Sequence, residues 1–344
     1  MTSGDVAFDR GITTAVRTCM GVRTGDRALV LTDGATARIG EALARAAVVA
    51  GAAVTLLRLE DFGVRPFTSI PPDLAAAVRA TAPTVSFYAA QPQPGEIAFR
   101  IPLMELLVRE LRVRHGHLIG IDERLVRAGL GSADYAVIAR LTERVAGWVR
   151  PARAIRVTSP LGTDLVARFS PDLRWQPCPG LYHAPGQWGN LPEGEIYTSP
   201  ERVDGVLAGE VIGDFFSAKY GVLAAPLRLH FAESRVTHIE ADTAEVRAIG
   251  AELLAYLRAA ENGDRAGEFA IGTNIGLTRL TGNLLQDEKI PGVHIACGNP
   301  YPHETGAGWQ STVHVDVVST RTTITVDGRE LMRDGRFAPD LLDG

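Results

Sequence analysis

The texture of the chain changes near Pro151, and that change constrains the fold more than any single motif. Before it, short apolar runs alternate with stretches of helical period. Residues 27–33 (RALVLTD) are apolar and closed by a Gly-containing turn, as in a buried strand. Residues 39–50 keep apolar side chains at helical spacing and stop at Gly51, and a second strand-like run follows at 54–59. Strand, helix and strand in that compass make a βαβ unit, which requires a parallel sheet covered by helices. The alternation continues with helical spacing at 72–80, 101–113 and 135–149 and strand-like runs at 84–89 and 118–122. Residues 1–150 are therefore expected to form an open-sheet α/β domain, a Rossmann-like layer. Its first βα turn (TDGATARIG) lacks the three-glycine dinucleotide fingerprint.

From Ala154 onward, β-branched runs are punctuated by Gly, Pro and Asn, with hairpin signals at Asp204-Gly205 and Asp327-Gly328. One strong helical stretch interrupts, at 244–261. Residues 151–344 are expected to form an α+β domain with a largely antiparallel sheet that carries the metal site. Composition narrows the function. A net charge of −5 in 344 residues excludes the basic face of a nucleic-acid binder, and 22% charged residues exclude general disorder. Cys19, Cys178 and Cys297 are an odd, scattered set and read as free thiols in a reducing compartment. No basic segment followed by an apolar stretch opens the chain, and no window is apolar enough to span a bilayer. The expectation is a cytoplasmic protein with neither a membrane nor a nucleic-acid partner.

Metal-type side chains gather in the second half. In Val313-His314-Val315-Asp316-Val317, strand alternation sends His314 and Asp316 to one face and the valines to the other. His294 interrupts an apolar run, GVHIACG. Glu268 lies in AGEFAIG, where a carboxylate is costly to bury unless it is paired or metal-bound. Glu195 enters a strand from a Gly-Glu step. Two imidazoles and three carboxylates without a thiolate suit zinc, cobalt, manganese or iron in an open catalytic site, and five ligands fit two neighbouring ions. His115 and His117 have the spacing of a ligand pair but read as a solvated bend. His183, Trp188, His303 and Trp309 are candidates for lining a pocket, Asp164 for a structural turn. Asp287-Glu288-Lys289 reads either as a charged turn or as a clamp on the ligands.

The segments VTSPLGTDL (157–165), GNLPEGEIYTSP (189–200), GEFAIGTN (267–274), DEKIPGVHIACGNPY (287–301) and STVHVDVV (311–318) resemble, in order, those of the aminopeptidase T / aminopeptidase S metallopeptidases. The resemblance implies that Glu195, Glu268, His294, His314 and Asp316 ligate two divalent ions (zinc, cobalt or manganese). It implies that Tyr301 stabilises the transition state and that the subunit has two domains and forms a homodimer. The implied reaction is hydrolysis of an N-terminal peptide bond, or of the amide of a small molecule, with Glu195 or Glu268 carrying the proton. The related 2,5-dihydroxypyridine dioxygenases use one iron and have a His where this chain has Glu268. A ring-cleaving mononuclear iron enzyme, held by His294, His314 and Asp316 and acting on a hydroxylated heteroaromatic, is the alternative.

Overall fold

A computed structural model describes residues 3–93, 95–213 and 215–342. The chain divides into two compact units, one of residues 1–136 with 180–193, the other of 137–179 with 194–344.

The first unit is built on a five-stranded sheet in the order Ala53–Arg58, Arg27–Thr32, Val85–Ala89, Arg114–His117, Trp188–Asn190, with every pairing parallel. The run at 27–33 forms a strand because both its faces are covered. Ala28 to Leu31 are all but inaccessible, the near-continuous burial of a strand inside a parallel sheet. Helix Ala37–Val49 returns the chain to the neighbouring strand. It comes close enough that a Cβ on Gly40 would lie 2.7 Å from the Thr32 side chain, so only glycine fits. The turn before it is held by Thr36, whose hydroxyl donates to Asp33 Oδ1 at 2.8 Å.

Two expectations for this half need correction. Residues 114–117, not 118–122, form the strand, and His115 and His117 are buried in it instead of lying in a solvated bend. The imidazoles tolerate burial because they are chained: Ser86 Oγ stands 2.8 Å from His115 Nδ1, and His115 Nε2 stands 3.2 Å from His117 Nδ1. Arg114 in the same strand is buried against Asp26 at 2.6 Å.

The second unit contains two antiparallel sheets. The larger has eight strands in the order Arg235–Glu240, Leu227–Ala232, Arg202–Gly209, Asp164–Arg168, Ala154–Thr158, Thr323–Val326, Arg329–Arg333, Arg336–Phe337. The smaller has six: Val211–Ile212, His314–Thr320, Gly292–Gly298, Ala266–Gly272, Glu195–Thr198, Gln176–Cys178. Asp327-Gly328 makes the expected two-residue hairpin, both residues having positive φ (44° and 86°) as a type I′ turn requires. Asp204-Gly205 does not turn. It lies inside a strand paired on both sides, where the Gly205 backbone passes so close to Asp164 that a Cβ would strike its carbonyl at 2.3 Å. Helix Ala244–Ala259 starts at Thr243, whose hydroxyl accepts from the Val246 N–H at 3.2 Å. It buries Val246, Ile249, Leu253 and Leu257 in the core of this unit. Helix Tyr135–Val149 adds Leu141, Val145 and Val149 to the same core.

Candidate functional site

Register places the expected residues on one face of the six-stranded sheet. Glu268 is level with Ala296 and Ala296 with Asp316, so the two carboxylates flank a residue that ends at Cβ. One step along, Tyr197 is level with Ala270 and Ala270 with His294. Glu195 faces Gly272, and His314 faces Gly298. The positions between the polar groups are thus alanine or glycine, and the face is hollow where the charges converge. On the opposite face Phe269, Ile271, Val293, Ile295, Val315 and Val317 pack into the core and fix the register, since a one-residue slip would bury every charge in it. A β-bulge at Gly267 sets the aim of Glu268. Gly267 passes so close to the next strand that a Cβ would meet the Gly298 carbonyl at 2.0 Å.

The distances follow from this placement. His294 Nε2 lies 3.3 Å from Glu268 Oε1, 3.4 Å from Glu195 Oε2 and 3.9 Å from Asp316 Oδ1. His314 Nε2 lies 3.6 Å from Asp316 Oδ1 and 3.8 Å from Glu268 Oε2. The His314 ring is oriented by its Nδ1–H, which donates to the Asn299 carbonyl at 2.8 Å and leaves Nε2 facing the cluster. Lys289 closes the far side, its ammonium 2.6 Å from Glu195 Oε1 and 2.8 Å from Glu288 Oε1. Ligand-type atoms of Glu268, His314 and Asp316 lie within 4.8 Å of one another, and so do those of Glu288, His294 and Asp316. Asp316 belongs to both groups.

Four buried carboxylates against one ammonium leave the cluster strongly negative, and the imidazoles register it. Burial alone would depress His294, but Glu268, Glu195 and Asp316 outweigh it and raise the ring to about 9. His314 is likewise lifted to about 10 by Asp316 and Glu268 against the effect of burial. Burial and the charges of Asp316 and Glu195 push Glu288 up to about 7 in spite of Lys289. Asp316 goes the other way, to about 2, because the two imidazoles overcome its burial. Two buried atoms, Glu195 Oε2 and His294 Nδ1, make no hydrogen bond. An excess of buried negative charge, imidazole Nε2 atoms directed inwards and an unsatisfied carboxylate oxygen fit a site for divalent cations.

Tyr301 stands at the rim, its ring 4.6 Å from that of His314 and 38% of the residue exposed. It occupies the left-handed region (φ 50°), held there by its N–H donating to Asn299 Oδ1 at 2.9 Å. Asn299 therefore orients both His314 and Tyr301. Enclosure of the hydroxyl and the charges of Glu268 and Asp316 hold the phenol well above its usual value, so it remains a donor.

Glu288 and Lys289, part of the run read from the sequence either as a charged turn or as a clamp on the ligands, join the cluster, and so does Asn299, which was not singled out. Only the charged run before an apolar strand pointed to the first two, and nothing marked Asn299. Asp164, Trp309 and His183 have partners outside the cluster. Asp164 pairs with Arg156 at 2.9 Å on the surface, and the Arg265 guanidinium covers the Trp309 ring at 4.3 Å. The His303 carbonyl accepts from Arg174 at 2.8 Å. In the first unit His183 Nε2 bonds the Thr18 carbonyl at 2.8 Å, and Trp188 is half exposed on an edge strand.

Comparison with known proteins points to a metal-dependent enzyme. The model of the thermophilic metalloprotease (M29) family matches residues 134–337. Two solved structures share the fold. One is 2,5-dihydroxypyridine dioxygenase from Pseudomonas putida KT2440 (15% identity, TM-score 0.69, covering 97% of this chain and 98% of that one). The other is wild-type AmpT from Thermus thermophilus (19% identity, TM-score 0.69, covering 96% and 99%). No curated protein matches by sequence. Site and family together define a metal-dependent enzyme of the peptidase class. The chain belongs to the thermophilic metalloprotease (M29) family. Among the described residues no helix is long and apolar enough to cross a membrane.

Proposed function

We propose that this enzyme is an aminopeptidase-like hydrolase that removes the N-terminal residue of a small peptide, or cleaves an equivalent amide, with two divalent ions. Glu268, His314 and Asp316 would hold one ion and Glu288, His294 and Asp316 the other, with Glu195 beside them. The observation that carries the reading is the double membership of Asp316, the geometry expected of a bridging carboxylate. Ions bound there lower the pKa of water from ~15.7 towards ~7 and polarise a carbonyl.

With an ion bound, an open coordination position would receive the free amine of a peptide N-terminus. The chain's own groups supply the rest. Tyr301, kept protonated, donates to the oxyanion that develops on the scissile carbonyl. Glu195 is the better proton carrier of the two candidates, because Lys289 pins one oxygen and the other has no hydrogen-bond partner. Glu268, which approaches both imidazoles, is better suited to ligation.

A mononuclear iron site needs one carboxylate with two imidazoles, and three more carboxylates around His294, His314 and Asp316 weigh against it. The decisive experiment joins metal analysis by anomalous scattering to hydrolysis of an aminoacyl anilide and its N-acetylated counterpart. Two ions per chain and cleavage of the free amine alone are expected. One iron, with oxygen uptake on a hydroxylated heteroaromatic and no amide cleavage, would overturn the proposal.

A further inference from the structure

The turn that carries Tyr301 is held from outside, by residues at the start of the edge strand Gln176–Cys178. Tyr301 opens a one-turn helix, Pro302–Thr305, which Gly306 closes in the left-handed region (φ 85°). A helix this short does not stand alone in water, and its carbonyls need partners from elsewhere. The Pro302 carbonyl accepts from the Gly306 N–H at 2.9 Å. The other three are met by one short stretch of chain. The Arg174 guanidinium donates through Nη2 to the His303 carbonyl and through Nε to the Glu304 carbonyl, both at 2.8 Å. Gln176 Nε2 donates to the same Glu304 carbonyl at 2.7 Å, and the Arg174 N–H donates to the Thr305 carbonyl at 2.8 Å. We propose that Arg174, supported by Gln176, is a positioning residue for Tyr301, a clamp that keeps the phenol beside His314.

The backbone of Tyr301 is the first argument. Its φ of 50° lies in the left-handed region, which a residue other than glycine keeps only where its surroundings over-determine it. Asn299 restrains the N–H, as described above. On the other side, the Tyr301 carbonyl accepts from the N–H groups of Glu304 and Thr305 at 3.0 and 2.9 Å, so this restraint is as firm as the helical turn itself. The buried Thr305 hydroxyl donates to the Pro300 carbonyl at 2.7 Å and ties the turn to the residue before Tyr301. The ring then stands between Tyr197, edge-on at 5.9 Å, and His314 at 4.6 Å.

The second argument is the footing of the clamp. Arg174 is exposed, but the next residue, Trp175, is buried, its ring 5.0 Å from that of Phe169 and 6.3 Å from that of Phe269. The Thr198 hydroxyl donates to the Arg174 carbonyl at 2.9 Å. The guanidinium therefore works from a fixed base, and its planar fork serves two carbonyls at once. Gly306 leaves room for it, since a Cβ there would stand 3.0 Å from Arg174 Nη1. A cation is also the favourable charge at the carbonyl end of a helix.

The proposal rests on the reading of Tyr301 as the oxyanion donor, and the test separates the two. Metal-loaded, full-length wild type, Arg174→Ala and Arg174→Ala/Gln176→Ala are compared by amide hydrogen exchange over residues 301–306 and by kcat and KM on an aminoacyl anilide. Exchange there should quicken by about tenfold or more in the double variant. In both variants kcat should fall about tenfold, a part of the ~10²-fold that a 1 Å misplacement can cost, with KM and bound metal unchanged. Arg174→Lys, a point charge without the fork, should fall between wild type and Arg174→Ala. In a Tyr301→Phe background Arg174→Ala should cost nothing more, because the hydroxyl it positions is gone. An equal fall in both backgrounds would make Arg174 a residue of general stability and overturn the proposal. Unchanged exchange in the double variant would overturn it too, as would wild-type kcat in the Arg174 variants when Tyr301→Phe is slow. If Tyr301→Phe itself turns over like wild type, the reading of the phenol fails, and exchange alone decides the clamp. Arg174→Ala, a change at an exposed side chain, keeps the test decisive if the double variant does not fold.

Discussion

The ammonium of Lys289 lies 2.6 Å from Glu195 Oε1, with both side chains almost wholly removed from water. A buried pair of this kind adds little net stability over apolar residues, but removing one partner costs about 3–5 kcal/mol because the other charge is stranded. Lys289→Met should therefore lower the urea midpoint of the metal-free protein sharply. The double variant Lys289→Met/Glu195→Gln, which leaves only Glu288 without its ammonium, should recover part of the loss. A double variant no more stable than the single one would show that the ion pair is not the cause.

Glu268 gives a test in which stability and activity move in opposite directions. Burial and the neighbouring Asp316 raise its carboxyl although the two imidazoles pull it down, the sign of a charge held in an unfavourable place. Glu268→Gln should leave the metal-free protein at least as stable as wild type while reducing the stabilisation by added zinc, which scales with affinity. Turnover of an aminoacyl anilide should fall by more than the ~10–100-fold typical of losing a supporting partner, and His314→Ala should do the same. Near-wild-type turnover in either variant would reject the site.

Tyr301→Phe removes a hydroxyl and keeps the ring against His314. If the phenol meets the developing oxyanion, kcat should fall about 10²–10³-fold with KM and bound metal nearly unchanged. A rise in KM with kcat intact would make Tyr301 a residue of substrate binding.

How far the sequence carried this reading depended on which signals compete locally. Helix 135–149 was legible to the residue because amphipathic spacing and helix propensity agree along its whole length. The strand Arg114–His117 was not, since Arg-His-Gly-His reads as polar, and only the Ser86–His115–His117 chain makes its burial tolerable. Asp204-Gly205 carries the composition of a turn, but its glycine serves a close strand crossing instead, a tertiary demand that no local pattern records. On the candidate face, His314 and Asp316 were visible through strand alternation, and Glu268 through the cost of placing a carboxylate among apolar residues. Glu288 and Lys289 sit in a short charged run whose local signal fits a charged turn and a clamp on the ligands equally well. Only the convergence of four strands gives them their partners.

The buried histidines of the first unit should make its stability acid-sensitive below about pH 6.5. Burial holds His115 down to about 3, and His117 is also lowered well below its ordinary value by burial, with His115 and Arg100 adding to the effect. In the unfolded chain both titrate near ~6.5. Above that pH neither state binds the protons and the histidines leave stability unchanged. Below it the unfolded state takes them up while the folded state does not, so stability falls as pH falls, by about 1.4 kcal/mol per pH unit for each histidine. For His115 the loss continues until the folded ring itself protonates near pH 3. Between pH 7 and 5 Glu288, raised to about 7, takes up its proton in the folded state and adds a slope of opposite sign, so the share of each buried imidazole is read as a difference between wild type and a variant that lacks it. Urea midpoints of metal-free protein, followed by fluorescence at pH 7, 6 and 5, should drop steadily. His115→Gln, which leaves a neutral hydrogen-bonding side chain next to Ser86, should lessen the fall by about 1.4 kcal/mol per pH unit. An unchanged slope in that variant would mean that the acid sensitivity arises elsewhere in the chain.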